Sequence, residues 1–215
     1  MGCEFYTADI DNFYSADDQI YAIVVSNPHD KTDANVLLEH GNTAETYQVT
    51  LVPGELHVIE ASCISGCFVS PQEIQQQGIG EGKGFRLTSD VPILAYQWNP
   101  YGTSTMSTDA SLLIPSTSLE GTIYYVAAWG YGGGSDDRSQ ITVVITEDNT
   151  TLTFTPSVDV PNQGGVGPFT AGIESDPIVL NKMDVISIAP TTAGIDLNGT
   201  RIDSDKPISV FGGHS

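Results

Sequence analysis

Positive charge is scarce in this 215-residue chain: seven Lys and Arg stand against 27 Asp and Glu, for a formal net charge of −20. Phosphate backbones and anionic membrane surfaces are bound by clustered cations, so this deficit excludes nucleic acid and acidic lipid as partners. Long apolar runs are missing too. The longest, Ile123 to Trp129, falls far short of the roughly 18 residues that a membrane-spanning helix needs. No window keeps apolar residues at i, i+3, i+4 and i+7 over three turns, and the best helical stretch, Pro71 to Gln77, is stopped by Gly78 and Gly80. Catalytic signatures are equally thin. No Gly-x-Ser-x-Gly elbow presents a nucleophile to His29, His40, His57 or His214. With 27 acids, close carboxylate pairs are guaranteed and say nothing about glycoside hydrolysis. The chain reads as no enzyme.

What is present is β-forming. Hydrophobic residues make up 40% and charged residues 16%, the reverse of a disordered acidic tail. The 22 Gly and 12 Pro, with abundant Thr, Ser, Asn and Asp, describe many short strands joined by turns. Ile141, Val143 and Ile145 alternate with Thr142, Val144 and Thr146, the period of two of a strand with one buried face. Glu147 to Thr150 supplies a turn, after which Leu152 and Phe154 alternate with Thr151, Thr153 and Thr155.

The chain also resembles itself. Phe85–Tyr96 aligns without gaps on Thr200–Phe211, with five of 12 positions identical: Arg86/Arg201, Ser89/Ser204, Asp90/Asp205, Pro92/Pro207 and Ile93/Ile208. Upstream, Ala22–Asn27 and Asp33–Glu39 resemble Ile141–Thr155, and Val52–Glu60 resembles Leu180–Ile188, in the same order. The expected architecture is therefore all-β, two tandem related β-sandwich halves packed against each other, at 1–110 and 111–215. A Ser/Thr-rich connection at 102–121 would join them. In each Arg-x-x-Ser-Asp-x-Pro element, Asp90 or Asp205 should cap backbone N–H groups in a tight turn. Pro92 or Pro207 should open the next strand where no ladder donor is needed. Arg86 and Arg201, two of the few cations, are read as structural ion pairs or carbonyl clamps.

Of the three cysteines, Cys63 and Cys67 enclose only Ile-Ser-Gly, which reads as a local disulfide formed in an oxidising compartment; two reduced thiols in a loop are the alternative. Cys3 is left over. For metals, Asp9, Asp11, Asp17 and Asp18 crowd one stretch, and Asp136 and Asp137 follow a triple glycine. These are weak calcium candidates or a solvated acidic surface. The EF-hand pattern fails, since Phe13, Tyr14 and Ile20 stand where a donor, a glycine and a glutamate belong. No other cofactor is expected. The aromatic constellation is Trp98-Asn99-Pro-Tyr101 and Trp129-Gly-Tyr131. Two readings compete: rings sealing the seam between the halves, or a contact surface for protein or glycan built from Trp98, Asn99, Tyr101, Trp129 and Tyr131.

The segment Arg86–Pro100, then Thr108–Pro115, Gly121–Val126, Val143–Thr153 and Leu197–His214, resembles in order the IgGFc-binding protein N-terminal domain family. That family is named for an animal mucus protein that binds the Fc part of IgG. The acidic chain is more similar to its bacterial members. The resemblance implies a secreted or cell-surface binding or adhesion module with a protein or glycan partner and no catalytic motif. It also implies further β sequence beyond Ser215. A structural subunit of an extracellular polymer, self-associating by strand exchange or β-augmentation, is the alternative.

Overall fold

The computed structural model describes residues 1–11, 19–75, 77–102, 108–130 and 138–214. Strands dominate, and the helical content of the described residues is one 3₁₀ turn, Ser116–Ser118. Pro71 to Gln77, the best helical stretch of the sequence, forms no helix among its described residues.

One long strand organises the first unit. β7 (Gly84–Tyr101) pairs through its first part with β1 (Gly2–Ala8) and β3 (Ala34–His40), and β4 (Thr46–Leu51) extends that layer beyond β3. Its second part pairs with β2 (Ile20–Ser26) and β8 (Asp109–Leu112), and β5 (Leu56–Ser62) extends the other layer beyond β2. The change of partner falls at Ser-Asp-Val-Pro: Ser89 is opposite Val36 of β3, and Leu94 is opposite Ser26 of β2. Pro92 has no N–H, so the ladder cannot run through it, and the strand passes from one layer to the other there. Alternate side chains of both layers, among them Phe5, Ile23, Val25, Leu38, Ile59, Phe85 and Leu87, meet in one buried core.

The second unit has two four-stranded sheets. One runs β12 (Ile178–Leu180), β11 (Thr150–Thr155), β14 (Arg201–Ser204), β9 (Ile123–Tyr125). The other runs β15 (Ile208–His214), β10 (Ser139–Ile145), β13 (Val185–Ile188), β6 (Gly78–Gly80). Ile141, Val143, Leu152, Phe154, Ile186, Ile188 and Ile202 fill its core. Here Ser-Asp-Lys-Pro breaks the ladder fully, and two strands, β14 and β15, stand where β7 is continuous. Registers run alongside those of the first unit. Leu38 faces Leu87 as Phe154 faces Ile202, Val36 faces Ser89 as Leu152 faces Ser204, and Ile23 faces Ile59 as Ile141 faces Ile188. One element crosses over: β6 precedes β7 in the chain yet pairs antiparallel with β13.

The units meet through a third buried cluster, Tyr6, Ala8, Ile74, Val144 and Val185, with Met183 and Phe211 packed against it. This overturns one detail of the alternation argument. β10 is buried along its whole length, because the face carrying Thr142 and Val144 lies against the first unit instead of water. The backbones approach closely at Gly84, where a Cβ would stand 2.8 Å from the Met183 carbonyl oxygen and 3.0 Å from Val144. Gly84 N–H donates to that same carbonyl at 2.8 Å, so only glycine fits the junction.

Candidate binding cleft

A cleft of about 610 Å³ opens along the seam. β7 and β8 supply Gln97, Asn99 and Ser111 from one side; β10, β15 and the loop after β9 supply Gln140, Thr142, Gly212 and Trp129 from the other. Alternation along β7 explains the choice from the first unit. Gln97 and Asn99 share one face, and Trp98 between them points to the opposite one. Its ring meets Tyr101 edge-on at 6.0 Å, and neither ring lines the cleft.

Three amide side chains are each held at one end. Gln97 is 6% exposed, and its Oε1 accepts from Thr7 Oγ1 at 2.5 Å, with the Tyr21 hydroxyl 2.6 Å from that Thr7 oxygen. Burial drives the Tyr21 phenol pKa well above its usual value, so the hydroxyl stays protonated. Gln140, 2% exposed, donates from Nε2 to Ser187 Oγ at 2.9 Å, and Ser187 Oγ in turn donates to the Ile141 carbonyl at 3.2 Å. The Oε1 of Gln140 is buried without a hydrogen-bond partner among the described residues. Asn99 Nδ2 donates to the Ile10 carbonyl. Trp129 is 67% exposed and stands at the rim. Such a site can position and recognise a ligand. Its lining includes two carboxylates, Asp11 and Asp109, and no histidine, cysteine or cation.

The aromatic reading is thus divided by the structure. Asn99 and Trp129 come together at the cleft, Trp98 and Tyr101 pair elsewhere, and Tyr131 lies outside the described residues. The seam itself is sealed by Tyr6, Val144, Val185 and Phe211, not by tryptophan, because the apolar positions of β1, β10, β13 and β15 already close it. Gln97 and Gln140 were not singled out from the sequence. Gln97 sits inside the conspicuous Tyr-Gln-Trp-Asn run, but Gln140 merely precedes an apolar alternation, and no local pattern marks it.

The remaining candidates sort as follows. Cys63 and Cys67 form the disulfide, with Cα atoms 5.6 Å apart, and Cys3 is free and exposed. Arg86 bridges Glu4 at 2.7 Å and Glu39 at 2.9 Å, tying β1 and β3 to the strand between them. Burial raises the Glu4 carboxyl, but hydrogen bonds from Arg86, Ser116 and Tyr6 outweigh it and hold the pKa below the usual range. Arg201 pairs with Asp203 of its own strand. In the register of β14, Ile123 and Thr155 occupy the places of Glu4 and Glu39, so no carboxylate faces Arg201 across the sheet. Asp90 Oδ1 accepts from Asn35 N–H at 2.8 Å, and Asp205 Oδ1 from Thr151 N–H at 2.7 Å, at matching register positions. The Pro92 carbonyl lies 3.0 Å from His29 Nε2, and the Pro207 carbonyl accepts from Thr146 Oγ1 at 2.5 Å. Asp9 and Asp11 flank Ile10, whose segment is laced to Ile74 by backbone bonds of 2.8 and 3.0 Å. Asp17, Asp18, Asp136 and Asp137 lie outside the described residues. Among the described residues no three His, Cys, Asp or Glu gather as a metal site.

Fold and cleft together define an all-β scaffold with two large buried cores and a cleft along their seam. Residues 109–215, from β8 onward, match the family model described as IgGFc binding protein. Comparison with curated proteins and with solved structures finds no match.

Proposed function

We propose that the chain is a non-catalytic binding or adhesion module of the extracellular space, displayed on a bacterial cell surface or secreted, and that its partner seats in the seam cleft at Asn99 and Trp129. The observation that carries this reading is the exposed Trp129 indole that lines a recessed cleft together with anchored amides. The family match and the Cys63–Cys67 disulfide support an oxidising, extracellular setting. Among the described residues no helix is long and apolar enough to cross a membrane. We further read the chain as a duplication, one copy at 1–110 and one at 111–215. The matched registers and the paired Asp90 and Asp205 caps support it. The test is an interaction array of IgG Fc, extracellular matrix proteins and glycans. At least one partner should bind, and Trp129→Ala should weaken it roughly tenfold or more with an unchanged melting temperature. An array without any Trp129-dependent partner rejects the reading.

A second reading has one observation in its favour. β9 is the last strand of its sheet, and its Ile123 and Tyr125 are 51% and 71% exposed, an apolar edge open to strand addition by another copy. Concentration-dependent fibres or oligomers, abolished by Ile123→Lys, would favour a polymer subunit; a monodisperse monomer at all concentrations would dismiss it.

A further inference from the structure

We propose that the seam cleft takes a neutral saccharide. This deepens the binding-module reading and rests on it. Among the described residues no Lys, Arg or His lines the cleft, so a phosphate, sulfate or carboxylate would meet no countercharge there, while the Asp109 carboxylate on the wall would repel it. An apolar ligand would leave buried amides unpaired. A sugar ring meets neither objection. Its hydroxyls both donate and accept, and Gln97, Asn99 and Gln140 each keep amide capacity beyond the bonds that anchor them.

Gln140 carries the argument furthest. Its side chain is 2% exposed, it lines the cleft, and Ser187 satisfies only one end of the amide. Whichever way that amide is turned, one buried polar atom remains for a ligand hydroxyl. Trp129 supplies the second element, an exposed flat indole on which the C–H face of a pyranose can lie while its hydroxyls reach the amides. The volume of about 610 Å³ accommodates more than one ring. Asp109 suits this ligand as well, as an acceptor for sugar hydroxyls.

The experiment uses the full chain in saturation-transfer NMR and titration calorimetry. The probes are neutral oligosaccharides ending in mannose, galactose or N-acetylglucosamine, with sialylated and sulfated glycans and aglycosylated Fc as separate arms. Binding of at least one neutral glycan at millimolar concentration or below is expected, with the Trp129 indole resonance shifted. Trp129→Ala and Gln140→Leu should each weaken it roughly tenfold or more, and Trp98→Ala should not. If Gln140→Leu fails to fold, the exposed Trp129→Ala variant decides alone. Failure of every neutral glycan, binding confined to charged glycans, or neutral binding indifferent to Trp129→Ala would overturn the proposal. Binding of aglycosylated Fc without any glycan overturns the saccharide assignment and leaves the binding-module reading standing. Silence in every arm overturns the saccharide assignment, and the binding-module reading is then decided by the matrix-protein arm of the interaction array.

Discussion

At the scale of single residues, two arginines in matching register do different work. Arg86 is half-buried between two carboxylates on neighbouring strands, and removing it would leave Glu4 and Glu39 facing each other without a cation. Arg86→Met should cost about 1–3 kcal/mol in urea denaturation, whereas Arg201→Met should leave the midpoint unchanged. His40 sets a pH response. It is 2% exposed, its ring packs 4.8 Å from that of Phe85, and burial pushes its pKa down from 6.5 to about 4. The folded state therefore holds His40 neutral while the unfolded chain takes up a proton near pH 6.5. Between pH 6.5 and 4 the unfolded state binds more protons, so stability falls as pH falls, by up to about 3 kcal/mol from this group. Urea midpoints measured from pH 7.5 to 4 should decline in the wild type and lose most of that slope in His40→Phe.

At the scale of elements, the Ser-Asp-x-Pro turn shows how much was legible in the sequence. Its residues announced a cap and a strand opening, and alternation located most core side chains, since period two is enforced by the backbone itself. Partner choice was not legible. Nothing near Gly78–Gly80 says that this triplet completes the sheet of the other unit, and β8 lies hidden in a Ser/Thr-rich connection because all four of its side chains are exposed. The cleft was half legible: Asn99 and Trp129 stood out by residue type, while Gln140 gains its meaning only when two distant strands meet. In both units the segment after the Pro pairs with β2 or its equivalent, Leu94 with Ser26 and Ile208 with Ile145. Pro92→Ala and Pro207→Ala should therefore lose similar stability, up to about 1 kcal/mol each, mainly through the unfolded state. Strongly unequal denaturant midpoints would contradict equivalent environments.

At the scale of the whole molecule, the buried seam joins the two cores. Val144 is fully buried there. Val144→Asp places a carboxylate in that contact, at a cost of several kcal/mol, without touching the interior of either core. Calorimetry should show a single transition in the wild type and two separated transitions, or one much lower one, in the variant. An unchanged thermogram would mean that the seam contributes little to cohesion.

The crossing of Gly78–Gly80 into the neighbouring sheet has an engineering consequence. A gene cut between residues 120 and 121, past β8, would hand the downstream fragment a bare β13 margin, while the upstream fragment would carry the missing ribbon as a free arm. The two polypeptides, mixed in a test tube, should find each other as a split protein does, with the arm acting as the latch.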